Sequence, residues 1–359
     1  MNNYFILLFL LNQINQKIIP INVNKIGGQY SIKTLFTDKE RLTNQYFSIT
    51  LVKDYTWVSA RYYSLPESSH EIEKGTMIIQ DKYNIPYKKL NQRMTLKEYI
   101  TLENFTFYYY DRSLIDPNEL SLSLHTEHSS SLIYQLYKAN YINSLSFSII
   151  AQEGDDNELT IELNIGGIPE HFNNKKSRKC IVNKDNKSWG CTINKIIIGD
   201  YTYYNNYSMV FQLSDHGIKA PTSFMNYLQS EIFKEYIDKG KCHFMLYTFN
   251  FLECECSVFD SIPYISFYID DYEYKLHKSN FIMRLPRTCK LDIVDNYFDN
   301  TTWELSVNFL KEYSLLFNYT DNSVTFYNVS NFNSNVNVLY IVLMFLCIIG
   351  ICNNICINY

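Results

Sequence analysis

Few residues in this chain are placed for acid–base chemistry. In "SMVFQLSDHGIKAPTSFMNYLQSEI", from Ser208 to Ile232, an apolar strand runs into a polar turn and then into a helix. The turn carries Asp215, His216 and Gly217. A carboxylate beside an imidazole can move protons, and glycine admits the tight backbone that presents such groups. Such a turn is either the mouth of an active site or only a corner where a strand stops. In "NQYFSITLVKDYTWV" the sole acid is Asp54. His125 and His128 in "LHTEHSSS" are three apart, but without a further clustered ligand they read as surface turn residues, and no metal is expected. A Ser/His/Asp hydrolase lacks its G-x-S-x-G turn, and residues 129–131 read as a helix cap. No glycine-rich phosphate loop is present, so no nucleotide cofactor is expected, nor any other.

The elements that must position these groups are mostly strands. "QYFSITLV", "YITLENFTFYYY", "SLSFSIIA", "ELTIELNI", "TINKIIIG", "YISFYIDDYEYKL" and "NSVTFYNV" are short, β-branched or aromatic, and flanked by Asn, Asp or Gly. Helical periodicity shows only over 129–142 and 223–240; the second stripe holds Phe224, Tyr227, Leu228, Ile232, Tyr236 and Ile237 and stops at Gly240. The pattern implies a mainly β chain with a few short peripheral helices. At 359 residues it exceeds one small core and suits two domains or one bilobal body. Thirty-two tyrosines favour strands, whereas only 11 glycines leave little for strained turns. A net charge of −5 without a basic stripe argues against nucleic acid as a partner. The polar stretch 171–188 is the natural connection between halves.

Both ends point to the secretory route. Residues 1–16 contain a short apolar run from Tyr4 to Leu11 and read as a signal peptide. The uncharged run 336–352 has the minimum length for a transmembrane helix, and Ser330 and Ser334 ahead of it keep a glycolipid anchor open. Either anchor ties the body to a membrane on its extracellular or luminal side. With Cys347, Cys352 and Cys356 set aside in the tail, six cysteines remain: Cys180, Cys191, Cys242, Cys254, Cys256 and Cys289. An even number in a secreted body reads as disulfides. Glycosylation sequons begin at Asn104, Asn186, Asn206, Asn300, Asn318 and Asn328.

In chain order, segments over roughly 28–330 resemble the pepsin-like aspartic proteases. "SSSLIYQLYKANYINSLSFSII" is similar to the helix and strand that close the family's first lobe, and "ELTIELNIGGIPE" to the turn between lobes. "SWGCTINKIIIGD" looks like the strand opening the second lobe, with Trp189 in the tryptophan position. "APTSFMNYLQSEI" resembles the lead into the helix after the second catalytic turn. "CSVFDSIPYISFYIDDYEYKLHKSNFI" and "NFLKEYSLLFNYTDNSVTFYN" resemble the family's late hairpin and closing strands. The resemblance implies a bilobal acid-protease fold with lobes at 27–167 and 168–332. It also implies a Cys256–Cys289 bond. Cys180–Cys191 and Cys242–Cys254 are then the natural remaining pairs, although four cysteines allow three arrangements.

Such proteases activate water with two carboxylates sharing one proton, each from an Asp-Thr/Ser-Gly turn. Here the motifs are degenerate. Nine residues before Pro221 stands Gln212, followed by Leu213 and Ser214 where a hydroxyl residue and a glycine belong. Two residues are missing between Gln45 and Trp57. Counting forward therefore puts the first acid position at Val52, and counting back puts it at Thr50. A flap tyrosine is matched by Tyr87, but Lys88, Lys89 and Leu90 follow it instead of glycines. Active members carry an inhibitory pro-segment, and here about ten residues lie between the leader and Gly27. These departures imply a catalytically inactive, membrane-tethered member with a binding or structural role, its groove open to an extended peptide or protein segment. The alternative is an active endopeptidase with a displaced Asp54/Asp215 pair.

Overall fold

Strands from distant parts of the chain meet at the centre of the molecule. Ser146–Glu153 and Tyr313–Asn318 run antiparallel with Phe147 opposite Phe317, and the two rings stack at 4.6 Å. Outward from this seam lie Leu159–Ile165 and Ile19–Ile26 on one side, and Ser323–Asn328 and Ser177–Ile181 on the other. Three strands therefore come from each half of the chain. The computed structural model describes residues 17–329 apart from 27–28, 39–40, 52–53, 60–68, 80–82, 98, 111–117, 125–128, 154–158, 174, 183–187, 214–216, 247–249 and 297–300. The expected leader (1–16) and anchor (336–352) lie outside the described residues. No helix among the described residues is long and apolar enough to cross a membrane.

Each half extends into its own lobe. In the first, the sheet continues from Ile19–Ile26 through Gln29–Asp38, Arg41–Thr50, Glu119–Ser121, Trp57–Ser59, Ile100–Tyr110, Tyr83–Lys97 and His70–Ile79. In the second, ten strands form a separate sheet running from Cys242–Leu246 to Tyr272–His277. The architecture is mainly β and bilobal, with short helices at Leu132–Lys138, Thr222–Tyr227, Lys234–Asp238 and Val307–Leu310. Period-two patterning places the core: in Ile19–Ile26, Ile19 and Ile21 are buried while Pro20 and Asn22 face out.

Some elements differ from the sequence-based expectations. The body starts at Ile19 rather than 27, because those alternating isoleucines complete the central sheet against Leu159–Ile165. The connection 171–188 contributes the strand Ser177–Ile181, paired with Ser323–Asn328. The helix expected over 223–240 is split by a π turn at Leu228–Ile232, yet it stops at Gly240, whose φ of 70° suits glycine. Ser131 caps the first helix, its hydroxyl accepting from the Tyr134 amide.

The three disulfides among the described residues join the expected cysteines. Cys242 and Cys254 stand directly opposite each other in one hairpin, Cys256 joins Cys289, and Cys180 joins Cys191 next to the buried Trp189. The edge strand Tyr272–His277 is blocked by side chains. The Tyr313 hydroxyl accepts from Lys275 N and donates to Lys275 O, while Glu312 accepts from His277 N. Groups that would otherwise recruit another strand are thereby occupied.

Candidate functional site

The two lobes build the same local crossing. In the first, Arg41–Thr50 runs parallel to Glu119–Ser121 with Ser48 opposite Glu119, and Trp57 returns antiparallel to the same Glu119. In the second, Val210 of Tyr201–Phe211 lies opposite Glu304 in parallel, and Lys219 returns antiparallel to Glu304. From incoming to outgoing partner is nine residues in both cases, Ser48 to Trp57 and Val210 to Lys219. The loops are equal in length, so each residue of one has a counterpart in the other.

Thr50 and Gln212, each two places past its reference residue, occupy equivalent positions. Both are half-buried, and the leucines after them, Leu51 and Leu213, are both buried. The backbone fixes both positions. Leu122 N donates to Thr50 O at 2.8 Å, and Gln212 N donates to Leu305 O at 2.9 Å. The register thus pairs Gln212 with Thr50 rather than with Val52, whose counterpart is Ser214; Val52 and Ser214 lie outside the described residues. A Thr hydroxyl and a Gln amide are both neutral, and both donate and accept hydrogen bonds without titrating as a general base.

Asp54 takes part in its own lobe's wiring. Its Oδ1 accepts from Ser123 Oγ at 3.3 Å, Ser123 N donates to Ser121 Oγ, and Ser121 N donates to Thr56 Oγ1. Separately, Asn118 accepts from Ser59 N and donates to Gln45 Oε1. Asp215 and His216 lie outside the described residues. By sequence count alone, Asp54 is six residues past Ser48, whereas Asp215 is five past Val210. The pair is one place out of register.

Gly217 and Tyr55 are also counterparts, and they show how the loops diverge. A Cβ on Gly217 would stand 2.3 Å from Asp292 O and 2.4 Å from Asp292 Oδ1. Glycine is required because the strand Cys289–Asp295 passes so close, with Ile218 opposite Ile293. Asp292, a buried carboxylate that no sequence signal singled out, accepts from Asn308 Nδ2 at 2.7 Å. Tyr55 packs instead against Tyr108 and Trp57, with centroids 4.9 and 5.9 Å away.

Tyr87 belongs to the hairpin of His70–Ile79 and Tyr83–Lys97. It sits within the second strand rather than at the tip. Directly opposite is Gly75, and the Tyr87 ring fills the space that a Cβ there would occupy. Its hydroxyl donates to Glu73 Oε1 at 2.7 Å, and its ring meets Tyr108 edge-on at 5.2 Å. Tyr87 is held by its own hairpin, whereas the neighbouring Trp57 Nε1 is buried without a partner among the described residues.

Among the described residues no cluster of His, Cys, Asp or Glu could hold a metal ion. His125 and His128 lie outside them. Of the six sequons, Asn104, Asn206 and Asn328 are exposed and Asn318 is half-buried; Asn186 and Asn300 lie outside the described residues.

A family model described as eukaryotic aspartyl protease matches residues 121–329. Among solved structures, the crystal structure of aspartic proteinase from Irpex lacteus is similar, with a TM-score of 0.68 at 11% sequence identity. The likeness covers 88% of this chain and 99% of that one. No curated protein matches the sequence.

Proposed function

Since the chain belongs to the eukaryotic aspartyl protease family, we propose that it is a member without peptidase activity that holds an extended peptide or protein segment between its lobes. The observation that carries this reading is the equivalence of Thr50 and Gln212 at the two loop crossings. Hydrolysis by this fold needs two acids facing each other, one ionised and one protonated, so that a shared proton can be moved while water attacks. Neutral residues at both crossings give no such pair. Asp54 and Asp215, one place apart by count and the former bonded to Ser123 of its own lobe, do not replace it.

A hydroxyl and an amide at the centre of a groove can still hold a peptide backbone, whose N–H and C=O groups need complementary partners once water is displaced. Tyr87, fixed against Gly75, Glu73 and Tyr108, fits a groove that stays shaped rather than one that closes over a reacting bond. With the leader and the apolar tail, the reading is of a membrane-tethered binding protein of the secretory route. Passing a library of unstructured peptides over the immobilised full-length protein tests it. Retained peptides should elute at their original masses, and Gln212→Leu should weaken retention. Indifference to that substitution, or elution of cut products, contradicts the reading.

A further inference from the structure

In the first lobe, one edge of the strand Ile100–Tyr110 pairs with no other strand along its first half among the described residues, and the helix Leu132–Lys138 lies beside it. Two clamps dock the helix. Gln135 accepts from Thr106 N and donates to Thr106 O, at 2.9 and 3.2 Å. The hydroxyl of Tyr141, just past the helix, accepts from Thr101 N and donates to Thr101 O, at 3.4 and 3.0 Å. Between the clamps is a groove of about 790 Å³, walled by Tyr134, Tyr137 and Tyr141, with Asn104 on its opposite lip. That volume is in the range of small-molecule sites.

Asn104 reaches this lip because of a β-bulge. Gln92 pairs with Phe105 and Met94 with Leu102, so Glu103 and Asn104 together oppose the single residue Arg93. Alternation would send one of the two inward; the bulge leaves both exposed between the buried Leu102 and Phe105. Glu103, which also lines the groove, pairs across the ladder with Arg93 at 3.3 Å. Asn104 begins the sequon Asn104-Phe105-Thr106. Neither Asn206 nor Asn328, the other exposed sequon residues, lines this groove.

We propose that Asn104 carries an N-linked oligosaccharide whose first sugars lie in this groove. Sugar rings present apolar faces and hydroxyl edges, and tyrosine offers the matching combination of ring face and polar tip. Tyr137, 44% exposed, is the open wall. An added peptide strand fits less well: only residues 102–105 are open between the clamps, about 13 Å of edge, shorter than an ordinary strand. The proposal depends on the secretory route and not on whether the cleft hydrolyses peptides.

The test is expression of the full-length chain in a secreting eukaryotic cell line, as wild type, Asn104→Gln and Tyr137→Ala. Glycopeptide mass mapping gives occupancy, and endoglycosidase gives the release rate from native and from unfolded protein. Asn104 should be occupied in the wild type and in Tyr137→Ala. Native release at Asn104 should be slower than from unfolded protein by about tenfold, and Tyr137→Ala should remove most of that protection. An unoccupied Asn104 overturns the proposal, as does native release as fast as at Asn206. Protection that survives Tyr137→Ala assigns it to something other than the tyrosine wall, and also overturns the proposal.

Discussion

Replacing Trp189 with phenylalanine probes the joint that supports the first loop crossing. The indole is fully buried, and Nε1 donates to Leu122 O at 2.7 Å. Leu122 in turn donates its own N–H to Thr50 O at 2.8 Å. The ring packs at 4.9 Å from Tyr319 and 5.3 Å from Phe317, within the seam between lobes. Phenylalanine removes the donor and leaves a buried carbonyl unsatisfied, which costs about 1–3 kcal/mol. The smaller ring adds roughly 1–2 kcal/mol of lost packing. Trp303→Phe is the internal control. Its indole is equally buried, between Phe224 at 4.6 Å and Phe267 at 5.5 Å, but its Nε1 has no partner among the described residues. Only the packing loss applies there, partly offset by removal of an unpaired N–H. The same chemical change should therefore destabilise more at 189 than at 303, by about 1–3 kcal/mol. Urea unfolding followed by far-UV circular dichroism measures this without relying on the missing fluorophore, provided the slopes agree. Equal costs, or a larger one at 303, would refute the reasoning.

Gly217→Ala should destabilise by about 1–3 kcal/mol or prevent folding, since its Cβ would overlap Asp292. Gly199→Ala meets no atom within 4 Å and should lose only about 1–2 kcal/mol from its φ of 56°; denaturation midpoints compare them, and a milder effect at 217 would contradict the close approach. Alkaline pH should unfold the protein through its buried tyrosines. Burial pushes the Tyr313 hydroxyl up to about 12, with Glu312 and Glu273 adding to the effect, and Tyr274 and Tyr319 shift the same way. The folded state keeps the proton longer, so this stability is whole below pH 10 and is lost as pH rises from about 10 to 12. Its slope is about 1.4 kcal/mol per pH unit for each such tyrosine. Tyr313→Phe should make the decline shallower, and an unchanged slope would assign it elsewhere.

Much of the fold was legible because the strands keep their period and the second lobe keeps its landmarks. Trp189, Pro221 and the Cys256–Cys289 pair stand where the resemblance placed them. The matched region, 121–329, includes all three. The first lobe before 121 was harder. Two residues are missing between Gln45 and Trp57, so counting from either end gave Val52 or Thr50. Only the ladder, with Ser48 and Trp57 both opposite Glu119, sets Thr50 level with Gln212. The pairing of Cys242 with Cys254 likewise follows from cross-strand register, which spacing could not supply. Tyr87 had the right residue type, but its seat over Gly75 depends on hairpin register. Asp292 gave no local signal, because its burial comes from the parallel neighbour Ile218–Ala220 and from Asn308.

Peptide cleavage by the purified full-length protein, across acidic to neutral pH, bears most directly on the proposed loss of the acid pair. The wild type is compared with Asp54→Asn and Asp215→Asn, and products are read by mass spectrometry. Neutral Thr50 and Gln212 predict no turnover above a heat-denatured sample, and no difference among the three proteins. Hydrolysis with an acidic optimum that vanishes in either asparagine variant would show a working pair of carboxylates and contradict the account.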